Sequence, residues 1–271
     1  MPRIYNLGAG SAEIKALKDL KRHPMPEHVV IEDFSTFAHL KSSNRDLITF
    51  IYCPELIYSE EGKELVSYFT NHSQNTYTVS KKLYQSLCEK DNAAGLFGIL
   101  NYGLKNIEDI DPSKYDFIVV LDRIENPGNL GTIIRTCDGA KVGLIIHVDP
   151  IVNLFTAKAL AASRGMGLFI DQVVCSYDKA QEFLLKNDYT IYLGEPDLGK
   201  PYYEYDYQGR IALVVGSERF GINPKWYDNP HQKVFIPMKG KMGCLNVSIA
   251  TSILIYEADT KRTRKENIKL V

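Results

Sequence analysis

The 271-residue sequence has no run approaching ~18 uninterrupted apolar residues, which argues against a membrane-spanning helix. Its opening stretch, MPRIYNLGAGSAEIKALKDLKRH, lacks the apolar core of a signal peptide, so a cytoplasmic protein away from membranes is expected. Cysteine is sparse. The five residues Cys53, Cys88, Cys137, Cys175 and Cys244 are scattered and never spaced C-x-x-C, which suggests neither a disulfide framework nor a zinc cage. The six histidines show no H-x-x-x-H or H-E-x-x-H spacing, and no metal is expected. No strand pattern is followed by G-x-G-x-x-G, no G-x-x-x-x-G-K-[ST] occurs, and the GAG at 8–10 has no strand before it. A Rossmann cofactor site and a P-loop are therefore discounted. A G-x-S-x-G elbow is also missing, and Ser217 and Cys244 have no base nearby in sequence, so nucleophilic catalysis is poorly supported.

Charge is nearly balanced, with a formal net charge of -1, so the sum does not advertise an acidic partner. Its distribution is less even. Lys261, Arg262, Arg264, Lys265 and Lys269 crowd the final stretch, and Arg3, Lys15, Lys18, Lys21 and Arg22 the first. Both clusters suit a phosphate-bearing surface, and both suit solvated chain ends.

Helical patterns alternate with short β-branched or aromatic runs, the signature of an α/β layer structure. A first series ends with the strand GLFGIL, closing a unit over residues 1–102. The polar stretch YGLKNIEDIDPSK at 103–115 reads as a linker. A second series fills residues 116–271, where FIVVL, GLIIHV and ALVVG are nearly continuous apolar runs, as expected of parallel strands covered on both faces.

In such sheets ligands bind beyond the carboxyl ends of the strands. Four glycine-containing polar loops fall there: LDRIENPGN, GEPDLGKP, GSERFG and IPMKGKMGCLN. Their convergence would make one pocket rimmed with backbone donors and acceptors.

Three segments in order, N-P-G-N-x-G-x-x-x-R-T from 126, V-V-G-S-E-R-F-G-I from 214 and I-P-M-K-G-K-M-G-C-L-N-V-S-I-A from 236, precede a helix carrying Y-E-A. Together they resemble the three motifs of the SpoU/TrmH branch of the SPOUT RNA methyltransferases. The N-terminal unit resembles, less specifically, the L30e-like RNA-recognition domain found before it in this family. The resemblance implies a parallel-sheet SPOUT domain with a deep trefoil knot, a homodimer that completes the active site, and methyl transfer from S-adenosylmethionine to a ribose 2′-hydroxyl of RNA. Ribosomal RNA is favoured over tRNA, by analogy with relatives bearing the extra domain.

Carried over by motif, the catalytic set is Asn129, Arg135, Glu218 and Asn246, and the cofactor set is Gly194, Glu195, Gly216, Ile236, Met238, Cys244 and Leu245. Cys244 stands where the family usually has serine, and a thiol is the poorer hydrogen-bonding group. Ser217 stands where Gly-Asn-Glu is commoner. Arginine normally keeps its proton, so Arg135 is either a base assisted by phosphate or a cation favouring the alkoxide. Glu218 has Arg135 or an RNA donor as its expected partner.

Plainer roles stand beside these. Asn129 and Asn246 are both suited to capping the helices that follow them. The tyrosines of PYYEYDY at 201–207 offer either base stacking or local packing. Two rival functions remain: an inactive RNA- or nucleotide-binding protein that keeps the fold, and a small-molecule nucleotide enzyme on an ordinary open sheet.

Overall fold

The computed structural model describes residues 4–25, 27–88 and 94–268, with side chains described as far as residue 263 in the last helix. The chain divides into two compact units. One comprises residues 1–103 and 154–165, and the other residues 104–153 and 166–271.

The first unit is a five-stranded sheet in the order β1-β4-β3-β5-β2, formed by β1 (Tyr5–Asn6), β2 (His28–Ile31), β3 (Leu47–Tyr52), β4 (Ser73–Thr78) and β5 (Leu96–Asn101). β5 runs antiparallel to both β2 and β3, and the other pairs are parallel. Adjacent residues of β3 serve different clusters, as a period of two requires. Ile51 joins Ile14 and Leu17 of α1 (Ala12–Arg22) and Leu83, Tyr84 and Leu87 of α4 (Lys81–Leu87). Phe50 meets Phe37 of α2 (Phe34–Ser42) and Phe69 of α3 (Glu60–Asn71), with ring centroids 5.9 and 5.6 Å away. α6 (Ala157–Ser163) belongs to this unit although it lies far along the chain.

The second unit is a seven-stranded, all-parallel sheet in the order β10-β12-β9-β11-β6-β7-β8. Its strands are β6 (Phe117–Asp122), β7 (Leu144–Val148), β8 (Asp171–Cys175), β9 (Thr190–Glu195), β10 (Lys200–Pro201), β11 (Ile211–Gly216) and β12 (Gln232–Phe235). Every residue of β6 and β7 is buried, as the continuous apolar runs predict. One core cluster joins Ile118, Val120, Ile146 and Val214 to Tyr177, Ala180 and Leu184 of α7 (Tyr177–Lys186) and to Trp226. α5 (Pro127–Gly139) packs along α8 (Val247–Ile268), where the Thr136 and Ser252 hydroxyls lie 2.9 Å apart and α8 also meets β11.

Residues 103–115, expected as a linker, are packed. Ile107, Ile110 and Tyr115 are buried in the core of the second unit, with short 3-10 turns at Ile107–Asp109 and Pro112–Lys114. The intervening polar residues conceal these anchors in sequence. The tyrosines of 201–207 are largely packing groups: Tyr192, Tyr205 and Tyr207 form an aromatic cluster, and the Tyr205 and Tyr207 hydroxyls donate to the Lys233 and Tyr202 carbonyls. Tyr203 alone of them is half exposed, at 50%.

The C-terminal cations are partly structural. Arg262 donates to the carbonyls of Tyr207 and Gly209, and Lys261 donates to that of Tyr203, fastening α8 to the loop before β11. The side chains of Arg264 and Lys265, and Arg3 and Lys269 entirely, lie outside the described residues.

Candidate active site

A cavity of about 540 Å³ opens where β9, β11 and β12 end. Its wall contains all seven expected cofactor residues, Gly194, Glu195, Gly216, Ile236, Met238, Cys244 and Leu245, together with Glu218 and Asn246. The size suits a small-molecule cofactor. Val215, Ile222 and Leu254 add apolar surface, and Arg219 and Thr251 add polar groups.

Backbone crowding fixes one edge. A Cβ placed on Gly216 would lie 2.2 Å from the Gly221 carbonyl carbon, a distance no side chain tolerates. Ser217 and Gly221 exchange backbone hydrogen bonds of 3.0 and 2.9 Å, and Gly221 takes the left-handed φ of 67° that closes this turn. The turn presents Glu218 to the loop after β6.

There a hydrogen-bonded relay crosses the three motifs. Asn246 Nδ2 donates to Asn129 Oδ1 at 3.2 Å, and Asn129 Nδ2 donates to Glu218 Oε1 at 2.8 Å. Glu218 Oε2 accepts the Glu125 backbone N–H at 3.0 Å. Asn246 Oδ1 accepts both the backbone N–H and the hydroxyl of Ser248, at 2.9 and 2.7 Å, and so caps α8 as well. Partial removal from water works against a charged Glu218. The Asn129 amide and the N–H groups of Glu125, Glu218 and Asn126 outweigh it, and its carboxyl is held below the ordinary carboxylate value.

Two expectations need correction. The cap of α5 is Asn126, whose Oδ1 accepts the Gly128 N–H at 2.8 Å with Pro127 in the first turn; Asn129 already lies inside the helix and is free to join the relay. Glu218 pairs with Asn129 rather than Arg135. Arg135 is exposed on α5, outside the cavity wall.

Sequence reasoning missed Tyr227, whose hydroxyl donates to Glu195 while Lys233 Nζ sits 4.8 Å from its ring centroid. Burial, then the bond to Glu195, pushes the phenol pKa up. Nothing in the sequence links Tyr227 to Glu195. A signal did exist for Val247, Ala250, Thr251 and Leu254, which line the cavity at the three- and four-residue spacing of one helix face.

The SpoU rRNA Methylase family model matches residues 116–256, the whole of this constellation. The chain belongs to that family. A 23S rRNA (guanosine(2553)-2′-O)-methyltransferase of Bacillus subtilis is 29% identical, over 51% of this chain and 56% of its own length. The chain therefore spans little more than half of that relative. A tRNA (guanosine(18)-2′-O)-methyltransferase of Aquifex aeolicus is 29% identical over 62% of this chain and 80% of its own. The fold extends further than the sequence match. The AdoMet-bound rRNA methyltransferase from Sinorhizobium meliloti superposes with a TM-score of 0.82 at 22% identity, covering 94% of this chain and 97% of that one. The SpoU methyltransferase AviRb from Streptomyces viridochromogenes, in complex with AdoMet, gives 0.81 at 19% identity, covering 94% and 100%.

Among the described residues, no helix is long and apolar enough to cross a membrane, and no group of three or more His, Cys, Asp or Glu could hold a metal.

Proposed function

We propose that this chain transfers the methyl group of S-adenosylmethionine to a ribose 2′-hydroxyl of RNA in the cytoplasm, with rRNA as the favoured substrate. The observation that carries the reading is the meeting of the cofactor set with Glu218 and Asn246 in one cavity, beside Asn129. The cavity fits the cofactor in kind: Gly194 and Gly216 keep strand ends bare, Ile236, Met238 and Leu245 give apolar walls, and Glu195 offers an anionic acceptor. These residues would hold its adenosine and methionine parts. When bound, S-adenosylmethionine supplies an electrophilic methyl group.

The protein's share is positioning and polarisation. Asn129 and Asn246, fixed by Glu218 and Ser248, hold the ribose end of the substrate. Arg135 binds the adjacent phosphate and favours negative charge on the 2′-oxygen, and its place on α5 keeps it on a rigid element. In this reading Arg135 serves the cavity of a second copy in a homodimer, which its exposure on α5 outside the cavity wall supports. Exposed Ile249 and Tyr256 on α8, each 49% exposed, support such an interface. The reading includes an L30e-like RNA-recognition domain at residues 1–102 and a knotted chain end, supported by the return of α8 to α5 and β11 after the chain has formed β12.

The test is incubation of the purified protein with radiolabelled S-adenosylmethionine and cellular RNA lacking the modification, followed by fractionation and digestion of the RNA. Label on a 2′-O-methylated nucleotide is expected. Cofactor binding without label in rRNA or tRNA would overturn the reading.

A further inference from the structure

We infer that Ser217 and Glu125 are positioning residues for methyl transfer, acting on Asn129 through Glu218; this rests on the function proposed above. β6 and β11 are neighbours in register, with Asp122 opposite Gly216. The loops that leave them are joined in both directions. The Glu125 backbone N–H donates to Glu218 Oε2 at 3.0 Å, and the Ser217 hydroxyl donates to Glu125 Oε1 at 2.8 Å.

Ser217 is 5% exposed, and its oxygen also accepts the N–H groups of Arg219 and Phe220, at 3.3 and 3.1 Å. One donated and two accepted bonds use the full capacity of a hydroxyl. Ser217 therefore has nothing left for a ligand, and its effect is to fix the turn that carries Glu218. Glu125 is held by the same turn from the other side, with Oε2 3.6 Å from Arg219 Nε. If the latch opens, the carboxylate that orients Asn129 is free to rotate, and Asn246 loses a fixed acceptor.

This predicts coupling between two residues outside the family's catalytic set. The experiment is a double-mutant cycle on the full chain with Ser217→Ala and Glu125→Met, reading kcat, the RNA KM and the cofactor Kd separately. Each single variant should lower kcat about tenfold, the double variant should lose little more than either, and cofactor Kd should hold within about threefold. Ser217→Thr, which keeps the hydroxyl, should restore most of the rate and guards against a folding artefact. Unchanged kcat, additive losses, or a fall in thermal stability with kcat intact would overturn the inference. If the unmodified protein transfers no methyl group while binding cofactor, the functional reading fails and the positioning role falls with it.

Discussion

Asn129 and Glu218, 89 residues apart in sequence, meet at 2.8 Å through one amide N–H and one carboxylate oxygen. Among the donors to Glu218 are thereby the Asn129 side chain at one oxygen and the Glu125 backbone at the other. A glutamine has only one carbonyl oxygen with which to answer them. Glu218→Gln should therefore lower kcat by about tenfold or more while leaving cofactor affinity nearly unchanged. Parallel measurement of single-turnover methyl transfer and calorimetric cofactor binding checks this, and a matching loss in both would remove the relay from the mechanism.

Arg135→Ala should keep cofactor binding and dimerisation and lose methyl transfer. If Arg135 serves a second copy, mixing this inactive variant with inactive Asn246→Ala should regenerate activity. One site in each mixed dimer would hold both an intact arginine and an intact cavity, giving about a quarter of wild-type activity after full exchange. No recovery in a mixture shown to contain heterodimers would place Arg135 in its own cavity or outside the chemistry.

Cys244 is exposed in the cavity wall, whereas Cys53 and Cys137 are buried and burial pushes the thiols of Cys88 and Cys175 up. A small alkylating reagent should label Cys244 first and block cofactor binding, and bound S-adenosylmethionine should slow the reaction. Cys244→Ser should resist inactivation with cofactor affinity nearly kept. Peptide mapping by mass spectrometry is the check; labelling at Cys88 or Cys175 ahead of Cys244 would refute it.

The parts of this molecule legible in its sequence are those written in local terms. FIVVL, GLIIHV and ALVVG announce buried parallel strands because each residue must be apolar when both faces are covered. Of the four glycine-containing loops at strand ends, GEPDLGKP, GSERFG and IPMKGKMGCLN meet in the cavity wall, whereas LDRIENPGN supplies none of it and joins the site through the hydrogen bonds of Glu125 and Asn129 to the 217–218 turn. What escaped depends on partners far along the chain. The two-residue strands β1 and β10 have no pattern and exist through their pairing with β4 and β12. Asn126 and Asn129 both precede helical turns, and only the start of α5 at Pro127 separates cap from relay. The cations at 261 and 262 resemble a solvated tail until the carbonyls of the loop before β11 are placed beside them.

His147 offers a test of the second unit's core. It is 1% exposed, its Nε2 lies 2.8 Å from Gln172 Oε1, and burial lowers its pKa to about 4 despite that hydrogen bond. The unfolded chain therefore takes up this proton at a higher pH than the folded one. The corresponding stability is full above about pH 6.5 and is lost progressively as pH falls toward 4, a contribution of about 3 kcal/mol. In urea titrations between those limits, His147→Asn should flatten the slope even though the variant is less stable overall. An unchanged slope would assign the acid sensitivity to other groups.

α8 does two jobs at opposite ends: Val247, Ala250, Thr251 and Leu254 face the cavity, and Lys261 and Arg262 grip the 203–209 loop. All seven strands of the sheet precede α8 in the chain, so the helix adds no strand pairing, whereas the cavity has no complete wall without it. A cut just before Val247 would therefore leave every strand of the sheet in place and take away one side of the cavity, separating the architecture from its binding competence.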